Sequence, residues 1–371
     1  MRLRLLSGAD LVGGLADALA GGPPIAPEPE ARLLPALGLD EPVEAGAAAV
    51  VTTSGSTGEP KAVVLGADAI RFAADATHQR LGGPGEWVCA LPTAHVAGLM
   101  TIARAVVAGT RVRFARPDLS DLPDPDGRTY LSLVAAQLDR ALGDARLRAA
   151  LPGYAAILVG GSAVPVGLRE RAREAGITVV TTYGMSETCG GCVYDGVPLD
   201  GVRVEIEPET DTDPGAGRLS LGGPMAFSGY RLRPDLTREV LSGDLVRTND
   251  RGRWLDGRLQ VLGRIDDVVI SAGTNVDLAA AQRVCDEEFG SGLLALLAVP
   301  DERWGHRIVA MTTGDHDLAE VRDRLEPRLG RAAAPRELRR VATLAYTSIG
   351  KIDRTALLRC WHEKGEDGVT G

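Results

Sequence analysis

Ala155-Ala156-Ile157-Leu158-Val159-Gly160-Gly161-Ser162-Ala163-Val164-Pro165 opens the stretch that decides the fold, and Ile177-Thr178-Val179-Val180-Thr181-Thr182-Tyr183-Gly184-Met185-Ser186-Glu187-Thr188 closes it. Residues 155–159 form an apolar run that ends on glycines, which reads as a buried strand. Residues 166–175 read as a helix and 177–181 as the next strand. Strands separated by helical stretches predict a parallel α/β sheet.

The same alternation extends upstream. The sequence predicts strands at 47–53, 62–65, 87–91 and 111–115, and helices at 67–81, 97–107 and 130–142. Residues 21–46, rich in Pro, Gly, Ala and Glu, read as a connector after a short first helix. Downstream of Tyr194 the pattern shifts to short strands at 202–206, 218–221, 253–255 and 258–262. Asp256-Gly257 is a hairpin signal, because both residues tolerate positive φ. This section reads as antiparallel sheet or a small barrel. Beyond Gly263-Arg264-Ile265-Asp266-Asp267 come strands at 268–270, 293–299 and 308–312 and helices at 278–288 and 318–329. The expected fold class is therefore α/β: a large domain, 1–265, with parallel α/β sheets and a small antiparallel section, and a small α+β domain, 266–371.

Composition excludes several functions. The 371 residues carry a net charge of −9 and no basic stripe, which argues against a nucleic-acid binder. No apolar run is long enough for a membrane span. The start of the chain, Met1-Arg2-Leu3-Arg4-Leu5-Leu6-Ser7, turns polar too soon for a signal peptide, so the cytoplasm is the expected compartment. Five cysteines give no disulfide framework.

Of 41 basic residues only Lys61, Lys351 and Lys364 are lysine; the other 38 are arginine. Where arginine serves as the general cation, a retained lysine marks a place that needs a compact ammonium. Lys61 ends Thr53-Ser54-Gly55-Ser56-Thr57-Gly58-Glu59-Pro60-Lys61. Backbone N–H groups and hydroxyls of such a loop can converge on phosphate oxygens. It is not a Walker A loop, since Pro60 precedes the lysine and no Ser or Thr follows it. Tyr183-Gly184-Met185-Ser186-Glu187 follows a predicted strand, where ligands of α/β sheets usually sit. Tyr183 could stack on a base and Glu187 could hold Mg²⁺; a plain turn with a core tyrosine is the other reading. Cys189-Gly190-Gly191-Cys192 reads as pocket wall rather than as a zinc or redox site, because no second ligand pair lies nearby. Trp304 either touches a ligand or covers the small core.

Taken together, the Lys61 loop, the Tyr183–Glu187 segment and Lys351 resemble the acyl-adenylate-forming superfamily of acyl-CoA synthetases and adenylation domains. The likeness runs from Val50 to Leu358. It implies that residues 53–61 form the phosphate loop and that Leu91-Pro92-Thr93-Ala94-His95-Val96-Ala97-Gly98 carries the acyl-site histidine, His95. A histidine beside Val96 and Ala97 can equally be a structural hydrogen-bonding group. Gly160, Gly161, Ser162 and Ala163 would line the nucleotide and acid sites, with Tyr183, Gly184, Met185 and Ser186 around the adenine and Gly190 beside the acid. Asp250 and Arg264 would hold the ribose, Asp266 the hinge, Gly273 and Trp304 the CoA channel, and Glu187 the metal. Lys351 would assist adenylation and leave when the small domain rotates for thiol attack. The implied cofactors are ATP and Mg²⁺, with CoA as co-substrate; the family often forms dimers, so a homodimer is expected. Departures are mild: Ser56 for threonine, Ala62 for glycine, Ala272-Gly273 for a Gly-Gly pair, Leu278 for proline, which leaves the start of the following helix less defined, and a shorter region before the loop. Residues 179–196 resemble most the o-succinylbenzoate–CoA ligases of menaquinone biosynthesis, particularly actinobacterial ones. A ligase for another aromatic carboxylate, or a stand-alone adenylation enzyme loading a carrier protein, stays open at this point.

Overall fold

The computed structural model describes residues 1–53, 60–208, 215–290, 292–346 and 352–363. They divide into two compact units. One comprises Met1–Glu207, Leu219–Thr248 and Trp254–Leu259; the other comprises Pro208–Arg218, Asn249–Arg253 and Gln260–Gly371.

The first unit holds a seven-stranded sheet. Its order is Val197–Pro198, Gly190–Tyr194, Val179–Met185, Ala156–Gly160, Thr129–Val134, Glu86–Cys89, Val112–Phe114. The strands from Val179–Met185 to Val112–Phe114 run parallel, and Gly190–Tyr194 folds back antiparallel on Val179–Met185. Parallel strands covered on both faces read as unbroken apolar runs, as in Ala156–Gly160, whose first four residues are buried. A second sheet is ordered Arg4–Leu6, Ile25–Pro27, Ala47–Thr53, Lys61–Gly66, Gly229–Tyr230. Helices Asp10–Leu19, Ala67–Arg80 and Val96–Ala108 share one apolar core with this sheet and with Gly190–Tyr194.

Three expectations are corrected here. Residues 130–142 are not one helix: Thr129–Val134 is a strand and the helix is Ala135–Gly143. Thr129–Val134 is buried at five of six positions between two parallel neighbours, so burial outweighs the helical pattern read across it. The 21–46 segment is more than a connector. Ile25–Pro27 pairs with the strands on either side, and Ala31–Leu37 is a 3-10 turn. The third concerns Leu278, where a missing proline predicted a poorly defined helix start; Asp277 caps the helix instead, accepting from the Ala280 N–H at 2.8 Å.

A further sheet orders Arg203–Pro208, Ala216–Gly222, Leu245–Leu255 and Leu241–Ser242, with Arg258–Arg264 paired on Leu245–Leu255. The Asp256-Gly257 turn has φ of 50° and 73°, the left-handed pair its sequence predicts. The second unit builds its own core on Thr274–Asp277, Val268–Ser271, Gly305–Thr312 and Leu294–Asp301, with helices Leu278–Phe289 and Leu318–Leu329 against them. Among the described residues no helix is long and apolar enough to cross a membrane. The α/β class expected from the sequence is the one observed.

Candidate functional site

Thr53 and Lys61 are paired residues of one hairpin, Ala47–Thr53 with Lys61–Gly66. Of the seven residues joining them, Ser54, Gly55, Ser56, Thr57, Gly58 and Glu59 lie outside the described residues, as does Lys351. Lys61 therefore stands at the mouth of the loop assigned to phosphate. Its Nζ lies 5.3 Å from the centroid of the Tyr230 ring, within cation–π range. Tyr230 comes alongside because Gly229–Tyr230 adds antiparallel to Lys61–Gly66, opposite Val63 and Val64.

Tyr230 also reaches Glu187. Its hydroxyl donates to Glu187 Oε1 at 2.6 Å, and the Phe227 N–H donates to the Glu187 carbonyl at 2.9 Å. Burial, with the adjoining Glu187 carboxylate, pushes the Tyr230 phenol well above the usual tyrosine range, so it stays a donor at neutral pH. One tyrosine thus joins Lys61 and Glu187, which lie 126 residues apart in the chain.

Glu187 belongs to the turn Ser186–Thr188. The strand before it runs through Tyr183, Gly184 and Met185 rather than stopping at Thr181, so these three sit in the strand and only Ser186 and Glu187 in the turn. Thr188 is buried and locks the turn: its hydroxyl accepts from the Met185 N–H at 3.0 Å and donates to the Gly190 carbonyl at 2.8 Å. Gly184 is needed for close approach, since a Cβ there would stand 2.0 Å from the Gly190 carbonyl oxygen. Gly160 ends the neighbouring parallel strand, and Gly161, Ser162 and Ala163 follow as an exposed bend. Gly190 is buried, and a Cβ on it would come within 3.8 Å of Met100.

His95 caps the helix Val96–Ala108 in an extended conformation, its carbonyl accepting from the Leu99 N–H at 3.0 Å. Burial lowers its pKa, opposed by the Glu30 carboxylate, and the imidazole is neutral at pH 7. Two and a half turns along the same helix, on the face opposite His95, Arg104 is 5% exposed. Its guanidinium lies 5.0 Å from the Trp87 ring centroid and donates to Thr77 Oγ1 and the Tyr194 hydroxyl, both at 3.4 Å. Among the described residues no carboxylate pairs with it. Cys189 and Cys192 are fully buried free thiols, each pushed up to about 12 by burial.

In the second unit, Arg264 clasps Asp266 with two hydrogen bonds, 2.7 and 2.6 Å, and its Nη1 lies 3.7 Å from Asp250. Asp250, Arg264 and Asp266 thus form one charged cluster. Gly273 is exposed at a turn after Ala272, a non-glycine residue held at φ 52°. The Trp304 ring is flanked by the Arg303 and Arg336 guanidiniums at 4.6 and 4.9 Å.

The donor set around Glu187 suits a hard divalent cation. Oε1 takes the Tyr230 hydroxyl, and among the described residues nothing bonds Oε2. One carboxylate oxygen is what Mg²⁺ asks of a protein when water and phosphates supply the rest. Among the described residues no group of three or more His, Cys, Asp or Glu forms an all-protein metal cage.

Tyr230 and Arg104 were not singled out from the sequence. Gly229–Tyr230 is a two-residue strand, too short for periodicity to register. The available signal was aromatic clustering: the chain has four Phe and six Tyr, and two of these ten fall within residues 227–230.

A parallel sheet whose strands Ala156–Gly160 and Val179–Met185 lead into a glycine turn and the Glu187 carboxylate, with Lys61 of the second sheet joined to Glu187 through Tyr230, has the strand-end layout at which α/β enzymes hold ligands. The chain belongs to the AMP-binding enzyme family, whose model matches residues 17–231. It is 40% identical to the probable 2-succinylbenzoate–CoA ligase of Mycobacterium tuberculosis, covering 94% of both chains. The 2-succinylbenzoate–CoA ligase of Enterococcus faecalis is 27% identical over 82% of this chain and 68% of its own. Among solved structures, the o-succinylbenzoate CoA synthetase (MenE) of Bacillus subtilis in complex with the acyl-adenylate intermediate OSB-AMP superposes with a TM-score of 0.75. It is 25% identical, with 86% of this chain and 72% of that one covered.

Proposed function

We propose that the chain is an ATP-dependent carboxylate–CoA ligase of menaquinone biosynthesis, converting o-succinylbenzoate to its CoA thioester through an acyl-adenylate. The observation that carries this reading is the joining of Lys61 and Glu187 through Tyr230, in a chain so similar over nearly its whole length to a probable 2-succinylbenzoate–CoA ligase.

The acid's carboxylate attacks the α-phosphorus of ATP and pyrophosphate leaves. Two anions must meet, so the site needs positive charge. Lys61 and the N–H groups of residues 54–58 take the leaving pyrophosphate. Mg²⁺, held by Glu187, supplies further charge neutralisation to the phosphates when bound. His95, neutral and partly buried, orients the carboxylate by hydrogen bonding. Tyr183, Gly184, Met185 and Ser186, with Gly161, Ser162 and Ala163, hold the adenine; Asp250 and Arg264 hold the ribose. Lys351 bridges the acyl carboxylate and the α-phosphate. Thiol attack by CoA then releases AMP, with residues 266–371 turning about Asp266 so that Gly273 and Trp304 meet the pantetheine chain.

o-Succinylbenzoate is a dicarboxylate, and adenylation consumes one of its two carboxylates. ATP and CoA as co-substrates place the enzyme in the cytoplasm, and a homodimer is the expected assembly. A panel of aromatic acids incubated with ATP, Mg²⁺ and CoA, read by mass spectrometry, tests the proposal. A thioester of o-succinylbenzoate formed in preference to the others supports it; preference for a monocarboxylate overturns the substrate assignment.

A further inference from the structure

Tyr230 has no assigned role in this chemistry, yet it is the one side chain in contact with both Lys61 and Glu187 among the described residues. Its placement is tightly determined. The residue is 8% exposed, its N–H donates to Thr237 Oγ1 at 2.9 Å, and its ring meets the Phe227 ring edge-on at 5.0 Å. Strand pairing with Val63 fixes its height beside Lys61. A hydroxyl so constrained, 2.6 Å from Glu187 Oε1, leaves that carboxylate little rotational freedom.

We propose that Tyr230 is a positioning residue for adenylation: its hydroxyl holds Glu187 by one oxygen so that the other faces the metal, and its ring seats the Lys61 ammonium. The inference rests on the assignment of Glu187 to Mg²⁺ given above. A hydroxyl that holds one oxygen of a ligating carboxylate limits rotation and fixes which oxygen is offered. Groups that act on a metal through its ligand typically cost about 10- to 100-fold in metal affinity or activity when removed. Separately, the aromatic face stabilises an ammonium without neutralising it, which suits a lysine that must still meet phosphate.

Tyr230→Phe separates the two contributions, since it keeps the ring and its packing and deletes only the hydroxyl. Mn²⁺ binding in the presence of ATP, followed by electron paramagnetic resonance, reads the metal directly. The expected result is about 10- to 100-fold weaker binding, with thioester formation from supplied acyl-adenylate unchanged. Glu187→Gln is the reference. In that background Tyr230→Phe should have no further effect, whereas a merely structural tyrosine would weaken both backgrounds alike. Unchanged Mn²⁺ affinity in Tyr230→Phe, with Glu187→Gln impaired, overturns the inference alone. Unchanged affinity in both variants overturns the metal assignment as well.

Discussion

Replacing Arg231 by methionine should cost the first unit a large part of its stability. The Arg231 side chain is 0% exposed. All five of its N–H groups are used. Nε donates to the Leu37 carbonyl, Nη1 to the Pro42 carbonyl and the Glu44 carboxylate, both at 3.0 Å, and Nη2 to the Gly38 and Glu41 carbonyls at 2.7 and 2.8 Å. Methionine fills comparable volume but strips the donor from the Leu37, Glu41 and Pro42 carbonyls and leaves the Gly38 carbonyl only the Glu41 N–H. Hydrogen bonds to a charged group contribute ~1.5–3 kcal/mol each, so five would sum past any reasonable total. Against that sum stands the relief of no longer burying an ion, several kcal/mol by itself. Broken buried pairs cost ~3–5 kcal/mol net, and about 4 kcal/mol is the expected loss here. That is a quarter or more of the ~5–15 kcal/mol that holds a domain folded. Lysine, with three donors on one nitrogen, should recover less than half. The urea midpoint reads the loss. Hydrogen exchange localises it to the amides of Gly38, Glu41 and Val43, now bonded to the Pro35, Gly38 and Met1 carbonyls. A methionine variant within about 1 kcal/mol of the parent would refute the reasoning.

Lys351→Ala should abolish acyl-adenylate formation while sparing thioester formation from supplied acyl-adenylate, and equal loss of both half-reactions would remove its proposed role. His78 accepts from Trp87 Nε1 at 3.1 Å, and burial, then Arg104, lowers its pKa from 6.5 to about 4. The unfolded chain therefore takes up a proton below pH 6.5 that the folded one refuses until near pH 4, so this contribution to stability is lost as pH falls through that window. Between pH 7 and 5 the loss from this group should be about 2 kcal/mol. Comparing urea midpoints of the parent and His78→Gln at the two pH values isolates it, and identical pH dependence would count against it.

What could be read from the sequence followed physical locality. Ala156–Gly160 and Leu318–Leu329 were legible because an apolar run or a 3.6-residue pattern is complete within the element. Asp256-Gly257 was legible because its turn chemistry is carried by two adjacent residues. Thr129–Val134 was misread because its strand character comes from partners 43 residues upstream and 26 downstream. Lys61 stood out through composition, and Glu187 through its place after a strand. Tyr230 and Arg231 escaped because their partners, Glu187 for one and the Leu37–Glu44 backbone for the other, are 43 and about 190 residues away. Such pairings exist only once the sheets have formed. Leu278 shows the converse: the helix start lost one signal, proline, but kept another in Asp277.

The acyl-adenylate route is tested most directly by isotope transfer. With o-succinylbenzoate labelled with ¹⁸O in both carboxylates, attack of either one on the α-phosphorus followed by thiol attack on the acyl carbon must leave one labelled oxygen on AMP. The account predicts AMP carrying a single ¹⁸O in step with thioester formed; unlabelled AMP, or label in pyrophosphate or inorganic phosphate, would contradict it.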